Sequence, residues 1–581
     1  MKKTLIFAIS ALLLSSCSFL EEKPTTSLTT SYGSEEALEA DIRGIQRALE
    51  PVFVGDFLEN GESCSGLVHF GATSARVEDS RWSCILSNFT YTSMSLNIAQ
   101  YGYLYTAINR CNVLLAHIPD SPVNEAYKTE IAAEAKLYRA LLYFFAVRLY
   151  GDVPLMLEPS ETSFNPIPRT SYYLVYDQIV ADLKDAFAGM RSADRVRAVT
   201  GTQGRPQKWA AKALLSTVYL QIASLLTVPE DENFYNPAKP GRKPVFTCDG
   251  IGTDKEKAWR LAYDMAKEVI ESGQYRLAKN YSDLFQWRAD FTDEYGRNAW
   301  NLDERIIVIQ STGNNTGNFS ATRSLPSDPP GAQVPDGTSV SRSGNVRPSR
   351  FFFNEWGRRF AEDVDFRVDS VYRHSNDPRI DIALMHTSYV SCFTGATKNI
   401  YPYAKDDASL ATGKSLPYFR KYLTPTYTGK PDVADFYVLR LAEIYYVAAE
   451  AAMQLNLGDA ANYINEVHER SNTPDKASYT VDDILWDKLF ELCGEGHSFC
   501  EVRRYGAKWF KENIIDARNT FFETMGGNGE EYVETYFGNN AFRYNLTMDQ
   551  IRGALLFEFP KEELTANPAM SLADKNDYSR E

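Results

Sequence analysis

The residues best suited to hold a ligand are aromatic side chains in irregular, polar stretches of the sequence. Trp82, Phe89 and Tyr91 lie among Ser, Asn and Thr, Trp300 lies beside two asparagines, and Phe319 lies close to Asn315. The flat apolar face of a sugar ring stacks on an aromatic ring, while the sugar hydroxyls bind polar side chains. These six residues are therefore the candidate ligand-binding residues. For any single one of them, packing at the surface is an equal alternative.

Catalytic and metal-binding patterns are missing from the sequence. The six histidines never fall as HxxxH or HExxH, and the seven cysteines after Cys17 include no CxxC pair. Nucleophile-elbow, phosphate-loop, dinucleotide and EF-hand motifs are also missing. Paired acids at 363/365, 406/407 and 482/483 could suggest a glycosidase, but hydrolysis needs two carboxyls on opposite sides of one bond, and adjacent acids usually face solvent. We predict no enzyme activity, no cofactor and no metal site; a structural calcium held by scattered acids is an unsupported alternative.

The first residues predict an exported lipoprotein. Lys2 and Lys3 precede an apolar run at residues 4–14, and Ser15, Ser16 and Cys17 follow, which is the residue order of a secretion signal. The apolar run is too short to span a bilayer. Residues 14–17 (LSSC) resemble a bacterial lipobox, so we predict cleavage before Cys17 and acylation of Cys17. Cleavage elsewhere, leaving an ordinary thiol, is the alternative.

Charge limits the partners of the mature chain. Removal of Lys2 and Lys3 leaves 59 bases of 61 against 76 acids, a formal net charge of −17. An acidic chain without a basic stretch is a poor partner for nucleic acid. Anionic headgroups would repel it as well, so the acyl chains on Cys17 must supply the membrane anchoring. Residues 18–31, rich in Ser, Thr and Glu, are typical of a polar tether.

Apolar periodicity predicts a mainly helical protein. Residues 172–183, 211–225 and 258–269 repeat apolar side chains at three- and four-residue steps. Ser171 and its neighbour Thr170 can cap the first of these helices, and Gly273 ends the third. Residues 134–150 are apolar on several sides and stop at Gly151. We therefore expect that helix to lie at the centre of the fold.

Two helix pairs resemble tetratricopeptide hairpins. Residues 441–455 and 461–470 are joined by a short turn, and four alanines in the first helix allow close approach. Residues 207–223 should pair with 258–272, with residues 229–253 as an insertion. We infer degenerate repeats within a larger helical body, rather than an open solenoid of equal units.

The chain shows no linker that would divide it. We predict a signal peptide at residues 1–16, a lipidated N-terminus and tether at 17–31, and a single all-α domain at 32–581. Residues 313–350 and 389–431 are rich in Gly, Pro and polar residues, which indicates long irregular loops. Loops of that length in a compact protein are often functional, so we expect ligand contacts there.

Several motifs, in order, resemble the SusD/RagB family of Bacteroidetes surface lipoproteins. The most specific is EAKLYRALLYFFAVRLYGDVPL at 134–155. The others are FLEEKP (19–24), YTAINRCNVLL (105–115), GRPQKWAAKALL (204–215), YVLRLAEI (437–444) with AEA (449–451), LCGEG (492–496), RRYG (503–506), and FEFPKEEL (557–564) with NP (567–568). The resemblance covers nearly the whole mature chain. The family pattern is altered at His497, Ser498, Phe499 and Glu501, where we expect altered packing and unaltered chemistry.

The resemblance implies both a fold and a function. The fold would be SusD-like, mainly helical, with tetratricopeptide-like hairpins and long irregular loops. The protein would sit on the outer membrane through its lipid anchor, exposed at the cell surface, and would bind a nutrient without catalysis. Its partner would be a SusC-like TonB-dependent transporter barrel, on which it would act as a lid. Ligands of the family are most often oligosaccharides or polysaccharides, and in some members peptides.

Rival hypotheses make different predictions. A peptide-binding protein of the same architecture would use backbone-pairing groups such as the Asn and Ser of residues 313–350. A helical scaffold that binds no nutrient would place all its aromatic residues in the core. An enzyme would require ionisable residues that converge in one cleft.

Overall fold

The structure is a computed structural model that describes part of the chain. The described residues are 32–54, 62, 65–70, 95–160, 166–198, 204–229, 232, 244–285, 303–310, 346–360, 376–385, 388–390, 397–399, 418–419, 421, 435–524, 547–548, 551–552, 556–557 and 559–572.

Helices make up most of the described chain. In order they are α1 (Glu35–Phe53), α2 (Ser95–His117), α3 (Glu125–Tyr150), α4 (Tyr172–Gly189), α5 (Ala193–Ala198), α6 (Lys208–Thr227), α7 (Lys255–Glu271), α8 (Arg350–Arg359), α9 (Arg379–Ala383), α10 (Leu441–Gln454), α11 (Ala460–Glu469), α12 (Val481–Glu491), α13 (Ser498–Arg503), α14 (Gly506–Phe510), α15 (Ala517–Thr524), α16 (Lys561–Ala566) and α17 (Ala569–Leu572). A π-helical turn (Lys511–Asp516) joins α14 to α15. The predicted all-α fold class is confirmed.

Short antiparallel ladders supplement the helices. The strands are β1 (Val68–Phe70), β2 (Arg305–Ile309), β3 (Val346–Pro348), β4 (Leu384–Met385), β5 (Ser388–Val390), β6 (Thr397–Asn399), β7 (Tyr418–Phe419) and β8 (Phe436–Arg440). They form the two-stranded pairs β1–β3, β2–β8, β4–β7 and β5–β6. Parts of both intervals predicted to be irregular are therefore strand: β3 lies in 313–350, and β6, β7 and the end of β5 lie in 389–431. Strands this short carry too little periodicity to be read from sequence.

The helices stack in nearly sequential order. Helix α1 packs on α2, α2 on α3, α3 on α4, α4 on α6, α6 on α7, α7 on α10 and α10 on α11. Both predicted hairpins, α6–α7 and α10–α11, are confirmed. The alanines of α10 are fully buried, among them Ala448 and Ala449, which lets neighbouring helices approach closely.

Local capping fixes where the central helices begin and end. Asn124 accepts a hydrogen bond from Tyr127 N at the start of α3, and Gly151 ends it with φ +71°, a conformation that favours glycine. Helix α4 begins after Ser171 as predicted, but that side chain makes no capping bond. Asp152 Oδ1 accepts from Tyr172 N instead (2.9 Å), because the turn after Gly151 brings it there.

The most apolar helices form the core. Nearly every side chain of α3 from Ala133 to Tyr150 is buried, as its apolar surface predicts. Helix α6 is long and apolar enough to cross a membrane, but 83% of its most apolar window is buried inside the protein. Burial against α4 and α7 identifies α6 as a core helix.

Candidate functional site

The predicted ligand-binding residues lie outside the described residues. This holds for Trp82, Phe89, Tyr91, Trp300, Asn315 and Phe319, and also for the predicted lipidation residue Cys17. The structure does describe the strands to which the segments that carry the ligand-binding candidates are joined. We call the β1–β3 and β2–β8 ladders the frame.

The β1–β3 ladder joins two of these segments. Its register pairs Val68 with Pro348 and Phe70 with Val346. Residues 71–94, which contain Trp82, Phe89 and Tyr91, begin directly after Phe70. Residues 311–345, which contain Asn315 and Phe319, end directly before Val346. The two segments therefore meet the frame at the same end of one ladder.

The β2–β8 ladder holds the other attachment points. Ile309 lies opposite Phe436 and Arg305 opposite Arg440. Residues 311–345 thus run from the end of β2 to the start of β3 and connect the two ladders. Residues 286–302, which contain Trp300, end at Asp303, just before β2. Gly204 packs against the side chain of Gln310 at the point where β2 ends, and a Cβ there would collide with that side chain.

Strand β1 is anchored to the distant C-terminal part of the chain through Glu62. Glu62 is 1% exposed. Its Oε1 accepts from Gly496 N (2.7 Å) and its Oε2 from Ser498 Oγ (2.7 Å). Burial raises the pKa of Glu62 to about 7, although the bonds from Ser498 and Gly496 and the charge of Lys421 oppose that rise. Sequence reasoning missed this residue because no local pattern marks it.

Two further contacts hold the turn between Glu62 and β1. Arg518 Nη1 donates to the carbonyl oxygen of Gly66 (2.8 Å). Gly66 has φ +78°, and a Cβ at this position would lie 2.7 Å from the Ile514 side chain in the π-helical turn. Glycine is therefore required here both by its backbone conformation and by the close approach.

A buried ion cluster surrounds Arg440, the last residue of β8. Its members are Glu304, Arg379, Lys421, Arg440, Arg470, Glu491 and Glu495, all of them buried. Arg440 Nε donates to Glu495 (2.9 Å), and Arg440 Nη1 donates to Glu491 (2.7 Å) and Glu304 (2.9 Å). Lys421 Nζ donates to Glu495 as well (2.8 Å). The cluster ties β8, α12 and residues near β2 into one unit.

The carboxylates of this cluster are held ionised by their cationic partners. Burial acts to raise the pKa of Glu491, but Arg470, Arg440 and Arg379 outweigh it and lower the pKa to about 2. Arg440 and Lys421 lower the pKa of Glu495 to about 2 against the same effect of burial. Because its members are paired and shielded from solvent, the cluster positions β8 and does not provide a free acid or base.

Other motif residues also form internal ion pairs. Arg504 donates to Glu450 (2.7 and 2.9 Å), and the Tyr505 hydroxyl donates to the same carboxylate (2.7 Å). Glu501 pairs with Lys488 (3.0 Å) and with Arg504. At the positions that depart from the family pattern, Ser498 binds Glu62 and Phe499 stacks on Phe557 with ring centroids 5.0 Å apart. These residues make contacts inside the protein.

Aromatic residues within the helical runs pack inside the protein. Phe144, Phe145, Tyr445 and Tyr446 are buried, and Trp209 is half-buried against Phe187. Cys493 and Cys500 are buried free thiols. Among the described residues, no group of three or more His, Cys, Asp or Glu side chains could hold a metal ion. Of the paired acids, Asp483 caps α12 with Thr480, and Asp482 pairs with Arg359.

Sequence comparisons agree with the motifs. A sequence model of the SusD family matches residues 303–577, and one described as starch-binding and associating with the outer membrane matches residues 18–220. A SusD-like protein of Bacteroides ovatus is 25% identical over 537 residues, covering 88% of this chain and 82% of that protein. A SusD-like protein of Formosa agariphila is 28% identical over 530 residues, covering 86% and 90%.

Solved structures share the fold. A SusD-like carbohydrate binding protein of Bacteroides fragilis superposes with a TM-score of 0.64 at 17% identity, covering 93% of this chain and 100% of that chain. A protein solved with a xylogluco-oligosaccharide also superposes with a TM-score of 0.64, at 19% identity, covering 92% and 97%. The motifs that resemble the SusD/RagB family lie within the two ranges that the family models match, whereas the lipobox at 14–17 precedes them.

Proposed function

The chain belongs to the SusD/RagB family, and we propose that it is a cell-surface lipoprotein that binds an oligosaccharide or polysaccharide and delivers it to a SusC-like TonB-dependent transporter. Binding would be noncovalent and without catalysis. Affinity would come from aromatic stacking and hydrogen bonds, and it would stay modest, because a site that bound too tightly would retain its cargo.

One observation carries the placement of the site. The pairing of Phe70 with Val346 joins, at one end of one ladder, the segment that carries Trp82, Phe89 and Tyr91 and the segment that carries Asn315 and Phe319. Rigid strands that converge in this way favour a shared binding surface built from long connecting segments. The printed names of the similar structures, a carbohydrate binding protein and a xylogluco-oligosaccharide complex, support a glycan as the ligand.

The buried charges support binding without catalysis. In the described part of the chain, the carboxylates that converge in space, such as Glu304, Glu491 and Glu495, lie in the core and are paired with arginine or lysine. A glycosidase needs two carboxyls that reach the scissile bond. These three carboxyls cannot do so without unfolding the core.

The lipobox and the charge of the chain support attachment by acyl chains. With Cys17 acylated, the acidic body would be tethered by residues 18–31. The family model described as associating with the outer membrane supports that location. The transporter barrel is the partner that the family implies, and it would receive the ligand from the aromatic segments.

A peptide is the second candidate ligand. The many Asn and Ser residues of 313–350 favour it, because an extended peptide is recognised through its backbone. A helical scaffold that binds no nutrient is the remaining alternative.

Binding measurements on the chain from residue 18 onward decide between these ligands. We expect at least one oligosaccharide in a panel of plant, algal and host glycans to bind, with the free sugar unchanged after incubation. Peptides of matched length are the comparison. If no glycan binds and peptides do, a peptide replaces the glycan as the proposed ligand. If neither class binds, the scaffold hypothesis is favoured. Release of a shorter sugar would contradict a noncatalytic function.

A further inference from the structure

Arg148 is a buried cation near the end of the central helix. It lies in the last turn of α3 and is 5% exposed. Its Nε donates to the carbonyl oxygen of Phe144 (3.3 Å). The guanidinium carbon lies 4.0 Å from the ring centroid of Phe144 and 4.6 Å from that of Phe145. The cation is therefore in contact with two aromatic rings in the core.

Arg148 differs in its partners from several other arginines of the core. Arg139 binds Asp182, Arg205 binds Glu134 and Arg440 binds Glu495. Arg148 forms no ion pair with a carboxylate of the described residues, and its two terminal nitrogens donate no hydrogen bond to them. Burial of a cation without an anionic partner raises the free energy of the folded state. The question is therefore what balances the charge of Arg148.

A small cavity adjoins the guanidinium. It is lined by Phe53, Phe145, Arg148, Phe436, Val438, Glu495, Gly496, His497 and Cys500. Its volume, about 10 Å³ measured to the centre of a water molecule, corresponds to a single water-sized particle. The cavity is thus too small for an organic ligand and large enough for one water molecule or one monatomic ion.

The groups around the cavity suit an anion. Burial lowers the pKa of His497, although Glu443 opposes this, so the ring is neutral and adds no negative charge to the lining. Its Nδ1 lies 3.6 Å from Glu443 Oε2. Burial raises the pKa of the Cys500 thiol and keeps its S–H. Phe53 and Phe145 meet edge to face with centroids 4.4 Å apart, and neither ring adds a negative charge to the lining. The one acid in the lining, Glu495, is already bound by Arg440 and Lys421.

We propose that this cavity is a binding site for one monovalent, monatomic anion, chloride in practice, which pairs with Arg148 and stabilises the junction of α1, α3 and the loop at residues 494–497. The opposing account is that the carbonyl groups at the end of α3 and the two phenyl rings stabilise the cation sufficiently. In that case the cavity holds water.

Diffraction at long wavelength separates these accounts without a mutation. Chloride scatters anomalously at such wavelengths and water does not. Crystals of the whole mature chain grown in chloride are expected to show an anomalous peak in the cavity, within hydrogen-bonding distance of Arg148 and separate from the Cys500 sulfur. The absence of an anomalous peak in the cavity, whether the cavity holds water or is empty, would overturn the proposal.

Thermal unfolding gives a second, independent test. At matched ionic strength, replacement of gluconate by chloride should raise the midpoint temperature of unfolding of the wild type by about 1–2 °C, and the increase should saturate with chloride concentration. Arg148→Met should lose this increment, and Arg47→Met, at an exposed arginine of α1, should keep it. Equal chloride responses in all three proteins would contradict the site. If Arg148→Met does not fold, the diffraction result still decides.

Discussion

Glu62 shows how a single buried residue can join distant parts of the chain. Its carboxylate binds Gly496 and Ser498, more than 400 residues away in sequence. These hydrogen bonds hold the turn that precedes β1. The predicted ligand-binding segment, residues 71–94, follows directly after β1. The charge of Glu62 is a cost to the folded state, because burial raises its pKa to about 7.

The first prediction concerns the pH dependence that Glu62 creates. Since its folded pKa lies above the ordinary value of 4.5, the folded state holds a proton that the unfolded chain releases. Glu62 therefore contributes stability that is full below about pH 4.5 and is lost as pH rises through 7. Glu62→Gln keeps an oxygen that can accept from Gly496 N, and it places an uncharged amide opposite Ser498 Oγ, which now donates to Glu62 and could instead accept from that amide. The variant should therefore lose the pH-dependent loss of unfolding free energy between pH 5 and pH 8, which is on the order of 2 kcal/mol in the wild type.

Urea unfolding at the two pH values measures this difference in free energy. The exposed Glu125 provides the matched control, since Glu125→Gln should retain the pH dependence of the wild type. The interpretation of Glu62 would be wrong if Glu62→Gln and the wild type lost stability equally between pH 5 and pH 8.

Sequence reasoning succeeds at the residue scale where the signal is local. Gly151 and Gly273 were predicted to end helices, and both have positive φ just past a helix end. The partners of Glu62, Arg440 and Arg504 could not be predicted, because each pairing depends on how remote segments pack. The roles of Trp82, Phe89, Tyr91, Trp300, Asn315 and Phe319 remain predictions.

At the scale of elements, close helix packing depends on the alanines of α10. Ala449 is fully buried on α10, a helix that packs against α7, α11, α12 and α6. Ala449→Leu should therefore destabilise the protein by about 1–3 kcal/mol through overpacking. Ala40→Leu, at an exposed position of α1, should change the free energy of unfolding by less than about 0.5 kcal/mol. Chemical denaturation of both variants checks this, and equal stabilities would contradict the described packing of α10.

Helix pairs could be predicted from the sequence and strand pairs could not. The α6–α7 and α10–α11 hairpins follow from apolar spacing and a turn, which are local features. Strand β2 pairs with β8 although about 130 residues separate them, and its register contains irregularities. Strands of two to five residues have weak patterns of their own, so their partners are set by tertiary packing.

For the whole molecule, the proposed lipid anchor at Cys17 would determine where binding takes place. Because the chain is acidic, we expect Cys17→Ala to abolish membrane attachment rather than to weaken it. The wild type should fractionate with outer membranes and incorporate labelled fatty acid, whereas Cys17→Ala should do neither. Cys64→Ala, outside the lipobox, is the control that should behave as the wild type. Membrane-bound Cys17→Ala would show that something other than acylation holds the protein.

The overall architecture follows from the sequence more fully than the binding surface does. The stacked helices are encoded by repeated apolar faces, and the motifs that resemble SusD/RagB proteins fall on buried, ion-paired residues such as Arg440, Glu450 and Arg504. Those residues specify the fold. We propose that the ligand is bound by the long segments joined to the ladders, where composition predicts contacts but not their geometry.

The most direct test of the account is a calorimetric titration of the tightest-binding glycan into the wild type and two sets of variants. Trp82→Ala and Phe319→Ala, from the two segments that meet the frame at Phe70 and Val346, should each weaken binding by about tenfold or more. Tyr103→Ala, at a tyrosine that is 42% exposed on α2, should bind as the wild type does. Unchanged affinity in both Trp82→Ala and Phe319→Ala would contradict a shared aromatic site at this end of the β1–β3 ladder.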